Sequence, residues 1–295
     1  LFLQLNQHNH HFAIKWEKGM SKKIAVCFFG ITRSLSFTID SIRKNVIAPA
    51  RELGKVNIFC HFFYQDKINN PRSGESVELN PEEYKLLEAD SVILQEPNSF
   101  LSDSCFKEVL EFGDAFGDGN YSTKNLFHQL NSLSQVTGAA QSWGADIVLF
   151  VRPDLYYHDS FKDIIKQAIN SVESKVIIPN WQHWDGINDR FAIAVGQAAI
   201  ESYGLRYDKI LKFCNETKFP LHSERLLQYS LSNVEIQLTK LRASRIRANG
   251  TRKEEIFLHY RIFDMHNSIA ARLKIDFKNA ILTKFTNLTQ NIVFG

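Results

Sequence analysis

The run Ala145 to His158, ADIVLFVRPDLYYH, constrains this chain more than any other stretch. Ile147 to Val151 is an unbroken apolar segment of strand length, the pattern of a strand covered on both faces. Such a strand belongs inside an α/β sheet. Pro153 has no N–H to give to a ladder, so pairing ends there. The chain therefore delivers Arg152 and Asp154 to the carboxyl end of a buried strand, the edge at which open α/β sheets hold ligands. A guanidinium beside a carboxylate at that place suits a phosphate and a divalent cation.

The flanking segments extend the pattern. Lys23 to Phe29 reads as a first strand that breaks at Gly30, with a helix predicted over Leu35 to Leu53. Strand, glycine turn and helix N-terminus together can face a phosphate, although neither G-x-x-x-x-G-K-[ST] nor G-x-G-x-x-G occurs. Thr32 and Arg33 in this turn are residue types that bond a nucleotide's phosphates or base. Val56 to Phe63 is the second strand. Asp66 beyond it stands where a ribose hydroxyl can be met, though a solvated loop acid is the commoner outcome. Residues 67–82, with Pro71, Gly74 and Pro81, read as loop; Glu82 to Ala89 as a short helix; Ser91 to Leu94 as a third strand. Residues 98–120 show no period and read as a long loop able to cover a ligand. Tyr121 to Trp143 is a strong helix, with Leu126, Leu130, Leu133, Val136 and Ala140 at helical spacing and Ser122 as its candidate N-cap. Gln129 lies beside that stripe, as a ligand contact or a satisfied buried amide.

After the central strand, Phe161 to Val172 reads as helix and Val176 to Pro179 as strand. The strand spills into Asn180 to Phe191, NWQHWDGINDRF, the most chemically loaded segment of the chain. Indoles beside carboxylates suit a sugar, which offers C–H faces and hydroxyls together; a structural loop with both tryptophans folded onto the core is the even alternative. Phe191 to Tyr203 reads as strand then helix, Lys209 to Phe213 as helix, Glu224 to Ser230 as helix capped by Ser223, and Val234 to Leu238 as strand. Arg242, Arg245 and Arg247 form a local cationic patch fit for a diphosphate, with Arg242 read as solvated. Arg272, Lys274, Lys278 and Lys284 give the tail a basic face, read as an ordinary surface helix or one lying peripherally on an anionic membrane.

Composition enters mainly as exclusion. A chain of 295 residues with 44% hydrophobic content can bury a sizeable core, and a net charge of +3 is too small to point to nucleic acid. The four cysteines form no C-x-x-C pair, so a cysteine zinc site is not expected. Cys27 and Cys60 within apolar strands suggest reduced buried thiols and a cytoplasmic protein. No run is long and apolar enough to span a membrane. Residues 1–19, ahead of Met20, are set apart from the fold, residues 20–250 are expected to form one domain, and 251–295 a helical extension packed on it.

Several strings then resemble a known family. KIAVCFFGITRS is similar to the donor-binding opening of bacterial and viral GT-A glycosyltransferase-like proteins. IVLFVRPDLYY resembles their central strand, which in most GT-A enzymes ends in an Asp-x-Asp metal motif. GINDRFAIA resembles their acceptor-side segment, and HSERLL and RIRANG their downstream pieces. The resemblance covers Lys23 to about Gly250 and rests on the order of the strings. It implies an α/β GT-A-like, Rossmann-type sandwich with a mostly parallel central sheet and helices on both faces. It implies a nucleotide-diphosphate sugar donor, Mn²⁺ or Mg²⁺, and transfer to a hydroxyl of a glycan or lipid-linked acceptor. Carried onto this chain, Gly30, Thr32 and Arg33 would hold the nucleotide, with Gln129, Arg152 and Arg247 as further donor contacts. Asp154 would be the metal-binding acid, and Arg152 stands where the first acid of the motif is expected. Asp154 with its metal, Arg152 and Arg247 would stabilise charge growing on the leaving diphosphate. The base for the acceptor hydroxyl is assigned first to Asp189, then to Glu224, then to Asp185, with His183 as an optional metal ligand. Two rivals stand beside this reading: a sugar nucleotidyltransferase, and a non-catalytic protein that binds carbohydrate or nucleotide-sugar.

Overall fold

The computed structural model describes residues 21–70, 74–101 and 104–257. The expectations for residues 1–19 and for the basic tail after residue 257 lie outside the described residues.

The apolar run β1 (Lys23–Gly30) leads into a continuous helical span: α1 (Leu35–Ile42), a π-helical turn (Arg43–Ile47) and α2 (Ala48–Leu53). There follow β2 (Lys55–Phe63), a hairpin of β3 (Lys67–Asn70) and β4 (Glu75–Glu78), a 3₁₀ turn (Glu83–Leu87) and β5 (Ser91–Gln95). Next come α3 (Ser104–Leu110), α4 (Tyr121–Trp143), β6 (Ile147–Val151), β7 (Leu155–Tyr157), α5 (Lys162–Ile169) and β8 (Lys175–Pro179). The chain continues through β9 (Ala192–Val195), α6 (Gln197–Gly204), a 3₁₀ turn (Arg206–Lys209), α7 (Ile210–Thr217), α8 (Ser223–Ser230), β10 (Glu235–Thr239) and β11 (Ala243–Arg245).

Seven strands form one sheet in the order β10-β8-β9-β6-β1-β2-β5. All run parallel except β9, which is antiparallel to both neighbours, β6 and β8. Strand period divides the core in two. In β1, Ala25, Cys27 and Phe29 face α4, α6, α7 and α8, while Ile24, Val26 and Phe28 face α1, α2 and α5. This is the expected Rossmann-type sandwich, with helices on both faces of a mostly parallel sheet. Ile147 to Val151 are all buried, as a doubly covered strand requires, and the strand stops at Val151 before Pro153.

Three local readings are corrected. Residues 67–82 are not irregular throughout, because β3 and β4 pair antiparallel from Lys67–Glu78 to Asn70–Glu75. Within residues 98–120, Ser104 to Leu110 forms α3, and Val109 is buried in the core. Ser122 does not cap α4: Asn120 stands at the N-cap position in a left-handed backbone (φ 65°) without a side-chain cap bond, while the Ser122 hydroxyl donates to Asp118 Oδ2 at 2.6 Å. All four cysteines are free thiols. Among the described residues no helix is long and apolar enough to cross a membrane.

Candidate functional site

The site begins where β6 ends. Thr38 Oγ1, from α1, donates to the Pro153 carbonyl at 2.6 Å, and the Arg152 N–H donates to the Tyr157 hydroxyl at 3.1 Å. These bonds fix the turn and aim its charged pair. Arg152 grips Asp154 with both ends of its fork, Nε to Oδ1 at 3.0 Å and Nη2 to Oδ2 at 2.9 Å. Arg33 Nη2 adds a third bond to Oδ2 at 2.7 Å. Asp154 is only 3% exposed. Burial would raise its pKa, but the charges of Arg152 and Arg33 outweigh burial and hold the carboxyl well below the usual range.

A second buried carboxylate extends this pair, and nothing in the sequence singled it out. Glu75, at the start of β4, takes Arg33 Nη1 at 3.4 Å, Arg247 Nη1 at 2.9 Å and the Ala248 N–H at 3.0 Å. The result is an alternating chain, Arg152–Asp154–Arg33–Glu75–Arg247, with one more cation than anions.

Two adjoining cavities open along this chain. The first, about 350 Å³, lies beyond the carboxyl ends of β1 and β2 and is lined by Gly30, Phe63, Gln65, Lys67 and His128. The second, about 480 Å³, is lined by Trp184, Asp189, Arg190, Glu224, Arg245 and Lys253. Arg33, Gln129 and Arg152 line both, so they stand at the junction. Arg247 lines the second, and Asp154 the first. Gly30 adopts φ +102°, and its N–H donates to Ser132 Oγ at 2.8 Å, so it shapes the floor without offering a donor to a ligand. Thr32 is half-buried in the turn and lines neither cavity. Asp66 is exposed and lines neither. Arg242 turns to the surface, where its fork bonds Asp159 at 3.0 and 2.8 Å.

Because β9 runs against β8, residues 180–191 leave and re-enter the sheet at the same edge as the Arg-Pro-Asp turn. The two tryptophans of this loop part company. Trp181 is fully buried and donates Nε1–H to the Leu241 carbonyl at 2.8 Å, whereas Trp184 is 43% exposed and lines the second cavity. His183 Nδ1 accepts the Asn188 N–H at 3.1 Å, within the loop. Asp185 pairs with Arg225 at 3.2 Å and lines neither cavity.

Asp189 and Glu224 do come together, and their environments pull them apart. Asp189, 5% exposed, accepts from Gln129 Nε2 at 3.2 Å and from the Ser223 hydroxyl. Ser223 thus opens α8 as its first residue and spends its side chain on Asp189 instead of capping. Burial would raise the Asp189 pKa, but Arg152 and Arg190 more than offset it and keep the group ionised. Glu224 has the opposite fate. Burial, then the neighbouring Asp189 charge, pushes its carboxyl up to about 8. Two carboxyls tuned in opposite directions beside one cavity are a recognised sign of acid–base work.

Gly186 is what lets the loop reach α8. Its neighbour Ile187 donates an N–H to the Glu224 carbonyl at 3.1 Å, and a Cβ on residue 186 would overlap that carbonyl and stand 2.7 Å from the Arg225 nitrogen. Gly186→Ala is therefore expected to cost about 1–3 kcal/mol by overpacking backbone against backbone. The check is a lower urea midpoint together with loss of any activity that depends on Glu224.

The surroundings of Asp154 do not make a seat for a divalent ion. Guanidinium N–H groups occupy both its oxygens, and among the described residues no three His, Cys, Asp or Glu side chains are placed to hold a metal. The local imbalance is instead an excess of cations. Burial, then the charges of Arg190 and Arg152, push the Arg245 guanidinium down to about 9, even with Asp154 and Glu255 nearby.

No family model matches this chain, and no curated protein matches it significantly. Among solved structures it is similar to the apo form of mouse xyloside xylosyltransferase 1, with a TM-score of 0.38 and 12% identity over 72% of this chain and 81% of that one. At that level of overlap nothing about activity follows, and the functional reading rests on the site itself.

Proposed function

We propose that the chain is a glycosyltransferase that moves a sugar from a nucleotide-diphosphate donor to an acceptor hydroxyl. One observation carries this: two cavities meet at a guanidinium cluster, and the second holds a carboxyl whose pKa is poised near neutrality. The first cavity suits the nucleoside, with Gln65 and Lys67 among its polar walls. The junction, with Arg33 and Arg152, suits the diphosphate. The second cavity suits the transferred sugar and the acceptor, with Trp184 offering an apolar face.

In the reaction the anomeric C–O bond to the diphosphate breaks, and its electron pair stays on the leaving phosphate oxygen. Arg152, Arg33 and Arg247 meet that growing charge. The acceptor oxygen forms the new bond to the anomeric carbon, and its proton passes to Glu224. Asp189, held ionised by arginines, is a weak base. It supports the developing positive charge on the sugar ring and orients Gln129. Glu224 thus takes the base role that sequence order gave first to Asp189.

The nucleotidyltransferase rival is disfavoured because the Gly30 N–H, which a triphosphate would need, is spent on Ser132. The non-catalytic rival has one observation in its favour, the complete ion-pairing of Asp154. A thermal-shift screen of nucleotide sugars on the full chain, followed by hydrolysis assays of the binders, separates the readings. Binding at a concentration 100 times Kd stabilises by about 2.7 kcal/mol. A stabilising donor that is slowly hydrolysed supports transfer; one that binds and is never turned over, with any acceptor offered, supports the non-catalytic reading.

A further inference from the structure

This inference rests on the transferase reading and concerns how its diphosphate is held. The Asp-x-Asp motif of the resembled family implies a divalent ion at this edge of the sheet. Here the first acid is Arg152, and the second is enclosed by three N–H bonds from Arg152 and Arg33. Lodging an ion on Asp154 would require breaking a bidentate guanidinium pair that is 5% exposed on the carboxylate side and 16% on the arginine side. It would also bring further positive charge among Arg33, Arg152 and Arg245.

The charge that an ion would supply is already present. Arg33, Arg152, Arg190, Arg245, Arg247 and Lys253 line the second cavity. Asp154 and Glu75 balance part of the first cluster, and Asp189 sits between Arg152 and Arg190. Among the described residues, Arg190, Arg245 and Lys253 form no ion pair. Glu255, bonded by Gln182 Nε2 at 2.6 Å, faces Arg245 and Lys253 and offsets them in part; Glu224 faces Arg190 but holds its proton at neutral pH. The remaining excess is of the size that a diphosphate diester, with one negative charge on each phosphoryl group, would neutralise. Guanidinium forks also match phosphate oxygens geometrically, which a point charge does not.

We propose that this site binds and discharges its diphosphate with its own arginine and lysine side chains and has no need of a divalent cation. Buried Arg–Asp and Arg–Glu pairs hold the forks in place before the ligand arrives. The unpaired arginines then take the charge that the ligand brings.

The test is calorimetric titration of inorganic pyrophosphate into the full chain, in EDTA and in Mn²⁺. Binding in EDTA at least as tight as in Mn²⁺ is expected, falling steeply with salt. Arg245→Met should weaken that binding roughly tenfold, as loss of a charge-assisted contact does. It should also raise the melting temperature of the ligand-free chain, because it removes one cation from among others. A merely structural arginine would lower it. Arg242→Met, on the exposed Asp159 pair, should leave pyrophosphate affinity unchanged. Binding that appears only with Mn²⁺ overturns the inference and leaves the transferase reading standing. Pyrophosphate that binds in neither buffer removes the diphosphate site itself, and with it the transferase reading.

Discussion

Glu224→Gln is expected to abolish transfer while making the protein more stable at pH 8. The two effects come from one carboxyl. In the unfolded chain a glutamic acid titrates near about 4.3, whereas in the fold burial and the Asp189 charge push Glu224 up to about 8. Between those values the unfolded chain has released the proton and the folded chain still holds it. Stability therefore falls as pH rises from about 4.3 to about 8 and is level beyond. The amide carries no charge, so the variant escapes this fall. It should match wild type near pH 4 and exceed it by on the order of a few kcal/mol at pH 8. Activity runs the other way, since an acceptor proton can go only to the carboxylate. Wild-type kcat/KM should climb with pH and bend near 8, and the variant should lose about 10²–10⁴-fold and show no bend. Urea melts and pH–rate profiles on both proteins decide the matter. A flat wild-type profile from pH 6 to 9, or an active glutamine variant, would remove Glu224 from the role.

Asp154→Ala should have the largest structural effect of any single change at the site. It leaves the Arg152 fork without its partner and strips Arg33 of its shorter bond, so that Arg33 keeps only Glu75 at 3.4 Å. Removing one member of a buried pair typically costs about 3–5 kcal/mol, because the other charge stays buried and uncompensated. The pH signature is opposite to that of Glu224. Asp154 has a depressed folded pKa, so its stabilisation is fully present above the unfolded value of about 3.9 and is lost only as pH falls further. The variant should thus be uniformly weaker at neutral pH and converge on wild type in strong acid. Arg152→Met with Asp154→Asn, which removes both charges at once, should recover much of the loss. If the double variant is no more stable than Asp154→Ala, the ion pair is not the cause.

The sheet was legible where burial leaves a continuous apolar run. KIAVCFF, VNIFCHFF and IVLFV announce buried parallel strands, and Pro153 announces where the last one stops. The loop from Asn180 to Phe191 stood out in the sequence because its composition is costly to solvate and costly to bury. Which of its residues would face the cavity was not legible. Trp181 and Trp184 are alike in sequence, and only the folded chain supplies the Leu241 carbonyl and the Phe257 ring that receive Trp181 inward. Glu75 was invisible for a related reason. Its strand pair, KINN and ESVE, carries too few apolar residues to show a period, and its arginine partners lie 42 and 172 residues away. Placing Glu224 ahead of Asp189 as the base depends on a pKa set by neighbours in space: Asp189 and Arg190 meet Glu224, and Arg152 and Arg190 meet Asp189, only after folding.

The reversed strand β9 has one more consequence. Its neighbour across the ladder is β8, with Ile177 opposite Ile193, so the two ends of the segment between them are anchored side by side. A connection with fixed adjacent ends can lengthen, shorten or be exchanged at a cost that grows only with the logarithm of its length. Arg33, Arg152, Arg245 and Arg247 belong to other elements, whereas Asp189 and Arg190 lie within it. On the transferase reading, changes in this connection would therefore alter the acceptor side while most of the phosphate-facing arginines stay in place, as a tool keeps its handle when the bit is changed.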